Sequence, residues 1–233
     1  MRKIWVIAIR ELEAYFKSPM AYIILVITIG VFNVFFFMII DQNREASLRD
    51  TFQLMEFMFV FIIPLLTMKM FAEEKRAGTL EFLLTCPTRN FDIVLGKYFG
   101  NLIFFTILIG LTFVYYLILE HFGQPDKAAT FVGYFGVWLE GALFIAIGML
   151  TSSWTKNQII AALSSYAILF VLYFSVVLTK FFDPQTQNII KHIGCLGRME
   201  NFGSGLMTSA DLVYYFSGII FCILLTNLSI EKR

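Results

Sequence analysis

The sequence predicts an all-α, polytopic membrane protein with six transmembrane helices, and three observations lead there. The chain of 233 residues is 58% hydrophobic but only 15% charged, with 27 phenylalanines and a mean hydropathy of +0.75. A soluble domain of that length needs far more charge to cover its surface. Apolar runs such as "FMFVFIIPLLTMKMF" (57–71) and "YFGNLIFFTILIGLTFVYYLILE" (98–120) belong in hydrocarbon. The basic residues, finally, divide unevenly between alternate connections, as they do in multi-spanning proteins. The net charge of +1 gives nothing in favour of nucleic acid as a partner.

The N-terminal stretch "MRKIWVIAIRELEAYFKSP" opens with basic residues, yet Arg10, Glu11 and Glu13 interrupt the apolar run too early for a signal peptide. Trp5, Ala8/Ile9, Leu12 and Phe16 recur at helical spacing, while Arg10, Glu13 and Lys17 share another face. That pattern predicts an amphipathic helix over residues 1–18 lying in the headgroup region, or alternatively a short helix packed on the protein's own loops.

A helix needs roughly 20 apolar residues to cross about 30 Å of hydrocarbon. The first span is expected near 21–40, opened by Ser18 and Pro19, a capping residue followed by a residue suited to the first helical position. The second lies near 52–71, with a kink expected at Pro64. The third, near 93–119, is long enough to tilt or emerge; the others fall near 131–153, 158–178 and 212–228. With the N-terminus inside, twelve basic residues fall on the inner side and six on the outer. Both termini are therefore expected in the cytoplasm, as an even number of spans requires. Cys86, Cys195 and Cys222 then sit at different levels, without the spacing of a metal site or a disulfide pair, and His121 and His192 are isolated.

Two connections stand out. The outer segment 181–211 is too long for a simple turn and mixes apolar residues with glycines, so it is either a surface loop or a set of short helices dipping into the outer leaflet. The inner connection, 72–92, contains "FAEEKRAGTLEFLLTCPTRN" (71–90) between two spans. Here Gly78 breaks a helix, Thr79 can cap a new one, and Glu81 in its first turn suits the positive end of the helix dipole. Leu80, Leu83 and Leu84 form an i, i+3, i+4 stripe, and Pro87 stops the helix after about two turns. Such a helix docks in a groove of a partner, lies on lipid, or merely connects two spans.

Five segments, in order, resemble the ABC-2 type permeases, the membrane subunits of a class of ABC exporters. They are "ELEAYFKSPMAYI" (11–23), the "F-x-EEKRAGTLEFLLT-x-P" pattern followed by "IVLGKY", "AIGMLTSSWTKNQIIAA" (146–162), "MENFGSGLMTSADLVYYFSG" (199–218) and the terminal "SIEKR". The likeness covers most of the chain, and the gliding-motility-type permeases are the most similar subgroup. The resemblance implies an elbow helix over Arg2–Lys17 and short re-entrant helices within 181–211. It further implies a coupling helix within 72–92 that seats in a cleft of a separate ATPase. On this sequence the coupling residues are Glu73, Glu74, Arg76, Gly78, Thr79, Leu80, Glu81, Leu83, Leu84 and Pro87.

The chain itself carries no GxxxxGK[ST] loop; Gly96–Lys97 precedes Tyr98 and lacks the upstream glycine. Under this reading ATP and Mg belong to a partner, a dimeric cytoplasmic ABC ATPase. A second permease, the same or homologous, and membrane lipid complete the partners. The expected function is that of a non-catalytic permease subunit of an ATP-driven exporter in a bacterial inner membrane. An ATP-independent carrier or channel is the alternative. An intramembrane enzyme would need a paired nucleophile and base or a metal cluster, which the spans lack. Glu140, in "GVWLEGALF", and Glu56 are the acids well inside predicted spans. Glu140 departs from the apolar residue usual in such permeases. It is read as lining a substrate path, contacting a partner permease or sitting neutral beside a polar neighbour. Glu56 is expected close enough to the outer surface to be wet.

Overall fold

A computed structural model describes residues 2–43, 45–80, 89–178, 194 and 196–231. Ten helices run through these residues, with no strand among them. They are α1 (Arg2–Lys17), α2 (Pro19–Asn43), α3 (Arg49–Thr67), α4 (Lys69–Ala77), α5 (Asn90–Thr112), α6 (Val114–Phe122), α7 (Lys127–Trp154), α8 (Gln158–Leu178), α9 (Leu196–Gly203) and α10 (Ser209–Glu231). Six helical stretches are long and apolar enough to cross a membrane: α2, α3 with α4, α5 with α6, α7, α8 and α10.

Helix α7 is the axis of the bundle. It packs against α3, α4, α5, α8, α9 and α10, and 72% of its most apolar window is buried, against 22% for α2. Its small residues permit the close approach. A Cβ added to Gly148 would stand 2.0 Å from Thr67 Oγ1 and 2.7 Å from Thr67 Cβ, so α3 and α7 touch there almost backbone to side chain. The peripheral helices turn large apolar residues outward instead, among them Val26, Ile27 and Phe37 of α2 and Val171 of α8. Outward-facing apolar side chains are what a chain solvated by lipid tails carries.

Local chemistry fixes most helix ends. Ser18 closes α1 with a bend and Pro19 opens α2, at the expected place. Asp126 caps α7, accepting from the N–H groups of Ala128 and Ala129 at 2.9 and 3.2 Å. Gly78 ends α4 in the left-handed region, at φ 72°, where a side chain would be strained.

Pro64, where a kink was expected, lies inside α3, and the regular ladder is interrupted four residues on, at Met68, which keeps a right-handed helical conformation. At that interruption the hydroxyl of Ser152, at the end of α7, enters the backbone ladder. It accepts from the N–H of Phe71 and of Ala72 at 3.0 and 3.1 Å and donates to the Met68 carbonyl at 3.0 Å. An inserted side chain of this kind bends a helix as effectively as proline does.

Helix α1 also differs from the simplest amphipathic reading. It lies against α5, where a Cβ on Gly96 would meet Ile7 at 2.6 Å and one on Gly100 would meet Glu11 Cβ at 2.8 Å. The face against α5 is therefore Ile7, Ala8 and Glu11, leaving Trp5 and Ile9 more than half exposed. The apolar residues of α1 thus split between a protein-facing and an outward-facing side.

At the other end of the bundle α9 packs on α3, α7 and α8, burying Met199 and Phe202. Arg198 of α9 pairs with Asp211 of α10 at 2.6 Å and lies 4.1 Å from the Tyr214 ring centre. Within the expected 181–211 segment, α9 and the start of α10 are described, whereas 181–193 and Cys195 lie outside the described residues, as does Cys86. Cys222 is buried in α10.

Candidate functional site

The charged stretch that follows the second span is built into the bundle by one lysine. Lys97 of α5 is 2% exposed. Its Nζ lies 2.8 Å from Glu11 Oε1 of α1 and 2.8 Å from Glu74 Oε1 of α4. The same ammonium stands 5.4 Å from the centre of the Phe71 ring. Lys97 can reach both acids because Gly96 and Gly100 let α1 approach α5 within side-chain contact. The result is an ion triad with a buried lysine and two partly buried acids that ties three helices to one point.

A second set of bonds flanks the triad. The Tyr15 hydroxyl reaches Asn101 Oδ1 and the Leu66 carbonyl, and Asn101 Nδ2 donates to the Lys97 carbonyl at 3.0 Å. Burial pushes the Tyr15 phenol up from its ordinary value, helped by the Glu11 charge, so it remains a donor throughout the neutral range. On the far side of α4, Lys75 donates to the carbonyl of Ser153 at the end of α7. A lysine on the last carbonyls of a helix is favoured both as a donor and by the helix dipole. Helix α4 is thereby fastened to α1 and α5 through Glu74 and to α7 through Ser152 and Lys75.

The sequence-derived coupling residues divide into three groups. Glu73, Arg76, Gly78 and Thr79 are exposed. Glu74 turns inward to the triad, and Leu80, 7% exposed, packs into the core cluster. Glu81, Leu83, Leu84 and Pro87 lie outside the described residues. Lys97, Glu11, Tyr15, Asn101 and Ser152 were not singled out by sequence reasoning as site residues. The "IVLGKY" motif does hold Lys97, and its pairing with "EEKR" gives that co-occurrence a physical basis.

A second polar group sits deep in the bundle. Glu56 of α3 and Glu140 of α7 are 1% and 0% exposed, and their carboxyls are direct neighbours. The expectation that Glu56 is wet is thus corrected. Helix α9 packs on both α3 and α7 at that end and helps close the site to water. Tyr173 of α8 and Glu200 of α9 are the other titratable groups that act on the pair. Glu56 Oε1 and both Glu140 oxygens have no hydrogen-bond partner among the described residues. Of the readings open for Glu140, a polar neighbour is therefore present, and it is another acid.

An amide at one of these positions supplies a donor to the other carboxyl whatever that carboxyl's protonation. Glu140→Gln is expected to insert normally and to melt at or above the temperature of the parent chain, as followed by fluorescence-detected size exclusion after heating. A clear loss of stability would mean that the Glu140 carboxyl donates a bond that the amide cannot replace.

The sequence matches the profile of the ABC-2 family transporter proteins over residues 5–193. The chain belongs to the ABC-2 transporter family. Among curated proteins no significant match was found. In this ABC-2 chain the matched region runs from α1 through α8, so it includes the Glu11–Lys97–Glu74 triad and the Glu56–Glu140 pair. It is a multi-pass membrane protein with six candidate spans.

Proposed function

We propose that this ABC-2 chain is the permease subunit of an ATP-driven exporter. In this reading a separate, dimeric ABC ATPase binds ATP and Mg and moves the 72–92 connection, and the helices rearrange to pass substrate outward. The observation that carries the reading is the way α4 is fastened. Motion of the segment after Gly78 is transmitted through Glu74 to α1 and α5, and through Lys75 and Ser152 to the axial helix α7. A loop that merely joins two spans has no need of a buried lysine clamped by two acids. The exposed Arg76, Gly78 and Thr79 then face the ATPase, with Glu81, Leu83, Leu84 and Pro87 completing the contact, while Glu73 lines a cavity beside α1. Both termini are assigned to the cytoplasm of a bacterial inner membrane, and a second permease completes the assembly. The likeness to gliding-motility-type permeases suggests a role in an envelope machine.

The reading is tested by purifying the tagged chain from its native membranes in mild detergent and identifying stoichiometric partners by mass spectrometry. A P-loop subunit is expected, together with any second permease. Leu83→Asp combined with Leu84→Asp is expected to leave insertion intact while reducing ATPase association or stimulation at least tenfold. Unchanged stimulation in that variant would move the contact elsewhere.

One observation favours a second reading, an ATP-independent carrier. Unpartnered acids within a span mark ion or substrate pathways in many transporters, and Glu56 and Glu140 form such a pair. Under the carrier reading Glu140→Gln abolishes transport. Under the exporter reading, with the pair as a packing feature, it leaves ATP-driven transport within a few-fold of the parent.

A further inference from the structure

A cavity of about 370 Å³ opens between α1, the first turns of α2, and the α3–α4 break. Its size falls within the range of about 300–1,000 Å³ typical of small-molecule sites. The cavity lies where the chain passes from the amphipathic α1 into the apolar α2, so it sits at the level of lipid headgroups. Its lining is of two kinds. Arg10, Lys69 and Glu73 stand with the Glu11–Lys97–Glu74 triad, and Met20, Ile24 and Leu65 are apolar.

We propose that this cavity binds the headgroup of a zwitterionic phospholipid bearing a primary ammonium, of the phosphatidylethanolamine type. The charges decide the class. Arg10, Lys69 and Glu73 have no ion pair or hydrogen bond with any described residue, unlike Lys97, which is already held by two acids. Two cations and one acid without an ion pair among the described residues line this cavity, and they match a phosphate with an attached ammonium. Arginine and lysine are the usual phosphate partners, and an ammonium offers three donors to carboxylates. Glu74 Oε2 is a buried acceptor without a partner and stands ready for one of those donors.

An anionic headgroup without an ammonium leaves Glu73 and Glu74 Oε2 unanswered beside a new negative charge. A trimethylated choline has no N–H to give them. The apolar lining accounts for the rest of the molecule. Met20 and Leu65 are 39% and 42% exposed, and they continue the outward-facing apolar surface along which acyl chains lie. This inference goes beyond the export reading and does not depend on it.

The test is a lipid competition on the full chain. The protein is reconstituted in nanodiscs of equimolar ethanolamine, choline and glycerol phospholipids, released, and its retained lipid counted by native mass spectrometry. One ethanolamine lipid is expected to persist, at five-fold or more above either competitor. Arg10→Gln with Lys69→Gln is expected to lower that retention about tenfold. Glu73→Gln is expected to keep the phosphate-bearing lipid but to bring ethanolamine and choline lipids level. Millimolar inorganic phosphate should not displace the adduct. Equal retention of the three lipids, or dominance of the glycerol lipid, overturns the proposal. Displacement by inorganic phosphate overturns it in favour of a soluble phosphate ligand. Unchanged ethanolamine retention in the Arg10/Lys69 variant places the lipid elsewhere on the surface.

Discussion

Lys97→Met is expected to destabilise the chain by about 3–5 kcal/mol, the usual cost of removing one partner from a buried ion pair. The substitution keeps the length and apolar stem of the side chain, so the packing of α5 changes little. What it removes is the only cation within salt-bridge distance of Glu11 and Glu74 among the described residues. Two carboxylates that both lay 2.8 Å from one ammonium are then left facing each other with restricted access to water. Helix α1 should loosen from α5, and protease sensitivity near residues 10–20 should rise. The triple variant Lys97→Met, Glu11→Gln, Glu74→Gln separates charge from shape. It should recover most of the lost stability, because well-packed neutral replacements of buried ion pairs are often close to neutral. Thermal melts of the three chains in one detergent decide the matter. A Lys97→Met chain that melts with the parent would show that the triad contributes nothing net to the fold.

That lysine also illustrates what a sequence can and cannot show. The six spans were legible because each is written in contiguous residues, and helix ends marked by Ser18–Pro19 and Gly78 were legible for the same reason. Lys97 is local to nothing that explains it. Its partners lie 86 and 23 residues away, and helical periodicity reports a face, never which helix will meet that face. The same limit explains Glu56. Counted along α3 it is seven residues from Arg49, or roughly 10 Å, which suggests water, yet α9 arrives from the far end of the chain and packs over that end. The interruption at Met68 has the same origin. Pro64 is a local signal and was read as one, while the hydroxyl that enters the ladder at the interruption, Ser152, comes from α7. Within 72–92 the helix end at Gly78 was legible, but not that Glu74 and Leu80 turn inward, while Glu81, Leu83, Leu84 and Pro87 lie outside the described residues.

Ser152→Ala is expected to act on the α3–α4 break specifically, and its neighbour supplies the control. Ser152 Oγ is fully buried and makes three bonds at once, accepting from Phe71 and Ala72 and donating to the Met68 carbonyl. Ser153, one residue on, uses its hydroxyl only for the Leu150 carbonyl, while its backbone carbonyl receives Lys75. Alanine at 153 therefore leaves the α4–α7 connection in place. Alanine at 152 leaves the Lys75–Ser153 bond but takes the hydroxyl acceptor from the N–H groups of Phe71 and Ala72, at about 1–3 kcal/mol for each that finds no other, unless the helix recovers its own ladder. Hydrogen exchange followed by mass spectrometry reads the two cases apart. In Ser152→Ala peptides covering residues 68–76 should exchange at least tenfold faster if the bonds are simply lost. They should become more protected than in the parent if α3 and α4 fuse into one straight helix. Both results identify the inserted hydroxyl as the cause of the break, whereas exchange matching Ser153→Ala would show it to be a bystander. The straightened case carries a further consequence for coupling. Closing the interruption shifts α4 relative to the end of α7, where Ser152 and Lys75 hold it. A co-purifying ATPase should then still bind Ser152→Ala but lose its stimulation, because the hydroxyl that ties α4 to the axial helix is no longer there.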